Sequence, residues 1–200
     1  MKLIVITSEQ IIHNEVTAIN KLFEQGLETL HLRKPHASLD EIKKILDDID
    51  VAYHSRIVLH DYFILTEAYD LKGIHLNKRN QETYPRHGLT LSRSCHSLKE
   101  IANKSGYDYL FLSPVFDSIS KTGYLKGFTT GQLKAAKAND IINEQIIALG
   151  GITSEKIPEI RQYGFGGIAI LGSLWIAFEK DNNIEMLLDR FEELKIKCKE

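Results

Sequence analysis

Cysteine is scarce in this 200-residue chain. Cys95 and Cys198 are the only two, far apart and without a Cys-x-x-Cys spacing. That excludes a disulfide framework and a cysteine-ligated zinc site, and suits two reduced thiols in a cytoplasmic protein. Charge of one sign is not in excess either: 25 Lys and Arg face 27 Asp and Glu, for a formal net charge of −2. Such a balance gives no electrostatic footprint for nucleic acid or an anionic membrane. Long apolar runs are missing. The opening run Met1–Thr7 turns polar at Ser8-Glu9-Gln10, too short for a secretory leader, and no stretch approaches the ~18 apolar residues of a membrane helix. No Pro/Ser/Gly-rich linker and no low-complexity tract divides the chain, so residues 1–200 read as one domain.

What recurs is a short β-branched run followed by an amphipathic segment. The runs are Lys2–Thr7, Thr29–Arg33, Ile57–His60, Gly73–Leu76, Leu89–Ser92, Tyr109–Ser113, Ile146–Leu149 and Gly167–Leu171. Between them lie helical patterns such as Ser38–Leu46, where Ser38 and Glu41 form the S-x-x-E capping box ahead of an apolar stripe. The runs are continuously apolar rather than alternating, as expected where both faces of a parallel sheet are covered. Eight such units in 200 residues predict an α/β fold, a single (βα)8 TIM barrel; an open doubly wound sheet normally uses five or six.

A barrel places its chemistry on the loops after the strands. Polar residues gather at those run ends: Thr7, His31 and Arg33, His60 and Asp61, His75, Ser94 and His96, and Ser113. Gly150-Gly151 directly follows the seventh run, and Gly172-Ser173 follows the eighth. Glycines there let backbone N–H groups approach an anion, and a helix N-terminus adds its dipole, so these two loops are a candidate phosphate site. Two tight turns needing positive φ would leave the same trace.

The run Tyr109–Lys121, with Ser113-Pro114-Val115-Phe116-Asp117-Ser118-Ile119-Ser120-Lys121, resembles the G-P-V-F-x-T-x-T-K signature of thiamine-phosphate synthases. Around it, in the family's order, come His31-Leu32-Arg33, Leu59-His60-Asp61, Gly73-Ile74-His75-Leu76, Ser94-Cys95-His96-Ser97, Ala148–Ile152 and Gly167–Ile170. The chain is thus similar, over nearly its whole length, to the family that contains thiamine-phosphate synthases and thiazole tautomerases. The resemblance implies a reaction joining a pyrimidine methyl diphosphate to a thiazole phosphate with release of pyrophosphate. It implies that Arg33 and Lys121 contact the diphosphate, with Ser118 and Ser120 donating to phosphate oxygens. His96 joins them as a catalytic candidate. Asp61 would hold Mg²⁺, and Gly150, Gly151, Gly172 and Ser173 the thiazole's phosphate. His31, His60, His75 and Ser94 would bind substrate. The partners are then phosphorylated small molecules; whether the chain forms a homo-oligomer stays open.

Three positions depart from the family pattern. Pro35 stands where the family has its diphosphate lysine, with Lys34 one place early; Asn80 replaces a second Mg²⁺ aspartate; His60 stands at a customary asparagine. A lost charge-assisted contact costs roughly 1.5–3 kcal/mol, so two such losses in the transition state slow turnover on the order of 10² to 10⁴-fold. Lys34, Lys78, Arg79 and Asp117 are the candidates to compensate. With Asn80 offering only a carbonyl, Asp61 is expected to bind Mg²⁺ weakly and only together with a diphosphate. A thiazole tautomerase, moving a proton through a histidine, needs neither lysine nor metal, and a non-catalytic paralogue that binds a thiamine precursor needs neither as well. The synthase reading leads; these two stand behind it.

Overall fold

The computed structural model describes residues 1–81, 88–117 and 127–200. Eight parallel strands close into a barrel in sequence order: β1 Lys2–Ile6, β2 Leu30–Leu32, β3 Ile57–Leu59, β4 Gly73–Leu76, β5 Thr90–Cys95, β6 Tyr109–Leu112, β7 Ile146–Leu149 and β8 Gly167–Ile170. Each falls on one of the eight apolar runs. Closure is made by β1 against β8, with Leu3 opposite Ile168 and Val5 opposite Ile170.

The helices do not recur as regularly as the strands. They are α1 Glu15–Glu24, α2 Leu39–Asp48, α3 Leu98–Ala102, α4 Thr130–Ala138, α5 Ile157–Gln162, α6 Gly172–Asp181 and α7 Ile184–Lys199. The expectation of eight complete strand–helix units fails after β3. Only a 3-10 turn, Phe63–Glu67, separates β3 from β4, and no helix lies between β4 and β5 among the described residues. Where helices do form, the sequence signals hold: Ser38 and Glu41 make the reciprocal capping box at α2, and Ser97 caps α3 by accepting from Glu100 N.

Two cores result. The larger lies between strands and helices, with Trp175, Phe178, Phe23 and Leu46 fully buried in it. The Trp175 indole donates to Ile6 O at 2.8 Å, which fastens the start of α6 to the end of β1. Inside the barrel the filling is asymmetric. Ile4, Ile6, Phe111, Ile147 and Ala169, from β6, β7, β8 and β1, form an apolar cluster. On the opposite side, His31 from β2, His75 from β4 and Ser92 from β5 are fully buried polar residues.

Candidate active site

A cavity of about 300 Å³ opens at the C-terminal ends of the strands. Its walls include Arg33, His60, Arg79, Ser94 and His96 on one side, and Gly150, Gly151, Gly172 and Ser173 on the other, over a floor of Ile6, Phe111 and Ala169. Most of the expected site residues therefore converge on one space. Asp61, His31 and His75 do not line it, and Ser118, Ser120 and Lys121 lie outside the described residues.

The glycine side is built by backbone. Gly150 and Gly151 have φ of +102° and +62°, a region that L side chains rarely adopt. A Cβ on Gly151 would lie 2.0 Å from Asp117 O, so the residue also lets the loop after β6 pass close by. That loop is tied down by Val115 N donating to Leu149 O at 3.0 Å and Phe116 N to Gly150 O at 3.1 Å. The positive-φ turn and the open approach to the cavity are thus one feature. Gly172 and Ser173 begin the ten-residue α6, which has no side-chain N-cap, so the first N–H groups of a helix face the cavity mouth with their dipole.

The opposite side is built by side chains, and charge pairs decide it. Arg33 pairs with Glu9 at 2.8 Å, and both line the cavity. The Thr7 hydroxyl bridges to the same point, donating to Arg33 O at 3.0 Å and accepting from Arg33 N at 2.9 Å. Glu9 has no motif around it and went unnoticed in the sequence; its place three residues beyond a strand end was the only signal.

Lys34 takes no part in the site. Neighbouring residues in an extended segment project to opposite sides, so with Arg33 at the cavity, Lys34 turns outward. Its ammonium donates to Glu15 Oε1 and Oε2 at 2.5 and 2.6 Å and to Gln10 O at 2.6 Å. The pair is buried. Burial pushes the lysine down and the carboxyl up, each opposed by the other's charge. Compensation of the missing lysine by Lys34 is thereby excluded.

Asp61 is likewise committed. Its Oδ1 accepts from Arg79 Nε at 3.3 Å and Nη2 at 3.1 Å, and its Oδ2 accepts from Nη2 at 3.2 Å. Asn80 Nδ2 donates to Oδ1 at 2.7 Å and to His60 O at 3.0 Å. The expectation that Asn80 turns a carbonyl toward a metal is overturned: the two acceptors beside it, a carboxylate and a backbone carbonyl, draw the amide hydrogens instead. A guanidinium and an amide already surround Asp61, and Mg²⁺, which wants several oxygen donors in octahedral array, does not fit this donor set.

Beneath the cavity lies a buried polar chain. His31 Nε2 meets the Tyr109 hydroxyl at 2.7 Å and His31 Nδ1 meets His60 Nε2 at 2.9 Å. His75 is held by Ser92 and Ser94, each at 2.8 Å. Burial, the first cause in all three, holds the histidines below their usual value, His75 at about 3 and the others well below it. All three are therefore neutral at physiological pH. Their ligand atoms lie within 4.8 Å of one another, yet the rings of His60 and His75 stack at 4.2 Å and both nitrogens of His31 and His75 are engaged. Stacked rings send their lone pairs side by side instead of to one point, so the set is a hydrogen-bonded network. Of the three only His60 reaches the cavity. His31 and His75 were expected to touch substrate; they lie in the barrel because strand alternation gives the facing of a side chain but not its depth.

His96 is exposed at the rim. Its Nδ1 lies 3.1 Å from Ser113 O and 3.3 Å from the Ser113 hydroxyl. No helix is long and apolar enough to cross a membrane among the described residues.

The comparisons with known proteins agree with this geometry. A family model described as thiamine monophosphate synthase matches residues 3–174. A solved thiamine phosphate pyrophosphorylase from Bacteroides thetaiotaomicron superposes with a TM-score of 0.89 at 39% identity, covering 100% of this chain and 98% of that one. A thiamine-phosphate synthase from Klebsiella pneumoniae is 29% identical over 175 residues, 80% of this chain and 81% of that protein. A thiamine phosphate pyrophosphorylase from Pyrococcus furiosus, 24% identical with a TM-score of 0.70 over 96% of both chains, shares the fold.

Proposed function

The chain belongs to the thiamine monophosphate synthase family, and from that membership we propose that it is a thiamine-phosphate synthase, joining hydroxymethylpyrimidine diphosphate to thiazole phosphate. The observation that carries the reading is a single cavity lined by arginines at one end and by glycine backbone with a helix N-terminus at the other, two kinds of donor suited to anions. A reaction between two phosphorylated molecules needs such a pair of ends. The apolar floor between them, with Phe111 and Ala169, suits two aromatic rings brought face to face.

In the proposed reaction the bond between the pyrimidine methylene carbon and the diphosphate oxygen breaks, and its electron pair leaves with pyrophosphate. The thiazole ring nitrogen supplies the pair for the new carbon–nitrogen bond. Negative charge grows on the leaving group, and cationic donors placed there stabilise it more as the bond breaks. Arg33 is assigned that work, aided by Lys121, Ser118 and Ser120 of the signature run. The N–H groups at Gly150-Gly151 and Gly172-Ser173 hold the thiazole's phosphate. His60 and Ser94, supported from below by His31 and His75, and His96 at the rim orient the rings through hydrogen bonds. Donor and acceptor are both phosphorylated small molecules of the cytoplasm in this reading.

The isomerase alternative finds no support among these relatives. The test is direct: purified protein with both substrates, with and without Mg²⁺, followed for thiamine phosphate and pyrophosphate. Equimolar formation of the two is expected; no thiamine phosphate under either condition would overturn the reading.

A further inference from the structure

The disagreement at Asp61 has chemical content. A carboxylate at the end of β3 is the natural seat for a divalent ion that neutralises a diphosphate, and here a guanidinium fills the seat. Arg79 contacts Asp61 through Nε and Nη2, which leaves Nη1 without a hydrogen bond among the described residues. The Asp61 side chain is only 15% exposed and Arg79's is 41% exposed, and Arg79 lines the cavity while Asp61 does not. The carboxylate lies behind the arginine. An ion binding there would compete with a charge-assisted pair and with the Asn80 amide.

We infer that Arg79, anchored by Asp61 and Asn80, is the cation that meets a diphosphate at this end of the cavity, in place of a divalent ion held on Asp61. Three points support it. A guanidinium presents a planar fork that pairs two phosphate oxygens, and its charge does not depend on pH near neutrality. The anchor fixes the side chain in advance, so less rotamer freedom is lost on binding. Arg33 lines the same cavity, which puts two guanidinium groups at one end of it. The inference rests on the proposed diphosphate substrate for its ligand class, but its test needs no turnover.

Inorganic pyrophosphate titrated calorimetrically into the full-length protein, once in EDTA and once in Mg²⁺, is the measurement. Wild type is expected to bind in EDTA with a dissociation constant within about threefold of the Mg²⁺ value. Arg79→Gln, at an exposed position, should keep the melting temperature and weaken binding in EDTA by about 10- to 100-fold, the worth of one charge-assisted contact. Adding Asn80→Asp to Arg79→Gln should restore binding in Mg²⁺ alone, since two carboxylates then face the vacated seat. Wild-type binding that requires Mg²⁺, binding in neither condition, or an Arg79→Gln variant that binds like wild type in EDTA would overturn the inference. Failure of the synthase reading looks different: pyrophosphate binds without metal through Arg79, and no thiamine phosphate forms.

Discussion

The two halves of this barrel solve the same problem with different materials. From β6 round to β1 the interior is apolar and the mouth is glycine backbone and a helix end. From β2 to β5 the interior holds His31, His75 and Ser92, and the mouth is a set of charge pairs, Glu9 with Arg33 and Asp61 with Arg79. Backbone donors are rigid and cannot change protonation state. Side-chain donors can be tuned, but each needs a partner to place it, and the partner competes with the ligand.

The largest expected contrast between the halves is with acid. Each of the three histidines has an unfolded value near 6.5 and a lower folded one, about 3 for His75. The unfolded chain then binds more protons, so stability is intact above pH 6.5 and falls as pH drops toward the folded values. His75, with a folded value of about 3, alone contributes about 1.4 kcal/mol of loss per pH unit below 6.5, and His31 and His60 add to the loss in the same direction. Urea unfolding from pH 7 to 5 measures it. His75→Gln should flatten the slope, whereas Ile147→Val, in the apolar half, should cost about 1 kcal/mol at every pH. A wild-type stability that is flat from pH 7 to 5 would remove the distinction.

Next in size is the buried pair behind the β2 end. Lys34→Met leaves Glu15 buried without its partner and should cost about 3–5 kcal/mol. The double change Lys34→Met with Glu15→Leu should recover most of that, because two apolar residues replace two buried charges. Pyrophosphate affinity of the folded Lys34→Met protein should be unchanged. A fall in that affinity at unchanged stability would return Lys34 to the site.

Ser173→Asp separates binding from folding in the glycine half. A carboxylate in the first turn of α6 suits the helix dipole, so stability should hold or rise. The same charge should repel a phosphate at the cavity mouth and weaken inorganic phosphate binding by about 10- to 100-fold. A changed melting temperature with unchanged phosphate affinity would place the anion elsewhere. Gly151→Asp is the poorer probe, because a side chain there collides with Asp117 O whatever the anion does.

How much of this was legible in the sequence divides along the same line. The eight strands stood out because continuous apolar runs mark strands covered on both faces, and the Gly150-Gly151 and Gly172-Ser173 loops because glycine marks backbone geometry directly. The charge pairs were not legible. Nothing local tells that Lys34 turns to Glu15, nineteen positions back on α1, or that Arg79 returns to Asp61; such pairs are set by how loops from different strands meet. The same holds for Asn80, read as a lost carboxylate. Its role as a donor to Asp61 and His60 O appears only once β3 and β4 lie side by side.

The smallest expected effect probes competition at the charged mouth. Glu9 lies 2.8 Å from the guanidinium that the proposed reaction gives to the diphosphate. Both side chains are partly exposed, 21% for Arg33 and 29% for Glu9, and a pair of that kind contributes about 0–1 kcal/mol to stability. Glu9→Gln should therefore leave the melting temperature nearly unchanged. Its effect on binding has the opposite sign from the other variants. Removing an anion beside Arg33 frees the guanidinium and lifts the local potential, so pyrophosphate should bind about two- to fivefold more tightly in dilute buffer. Salt screens exposed charges over roughly 8–10 Å at physiological strength, so the gain should shrink as salt is added. Calorimetric titration at two salt concentrations reads both. Weaker binding by Glu9→Gln at either salt would mean that Glu9 works as Asp61 does for Arg79, holding its arginine in position, and the β2–β4 mouth would then consist of anchored cations throughout.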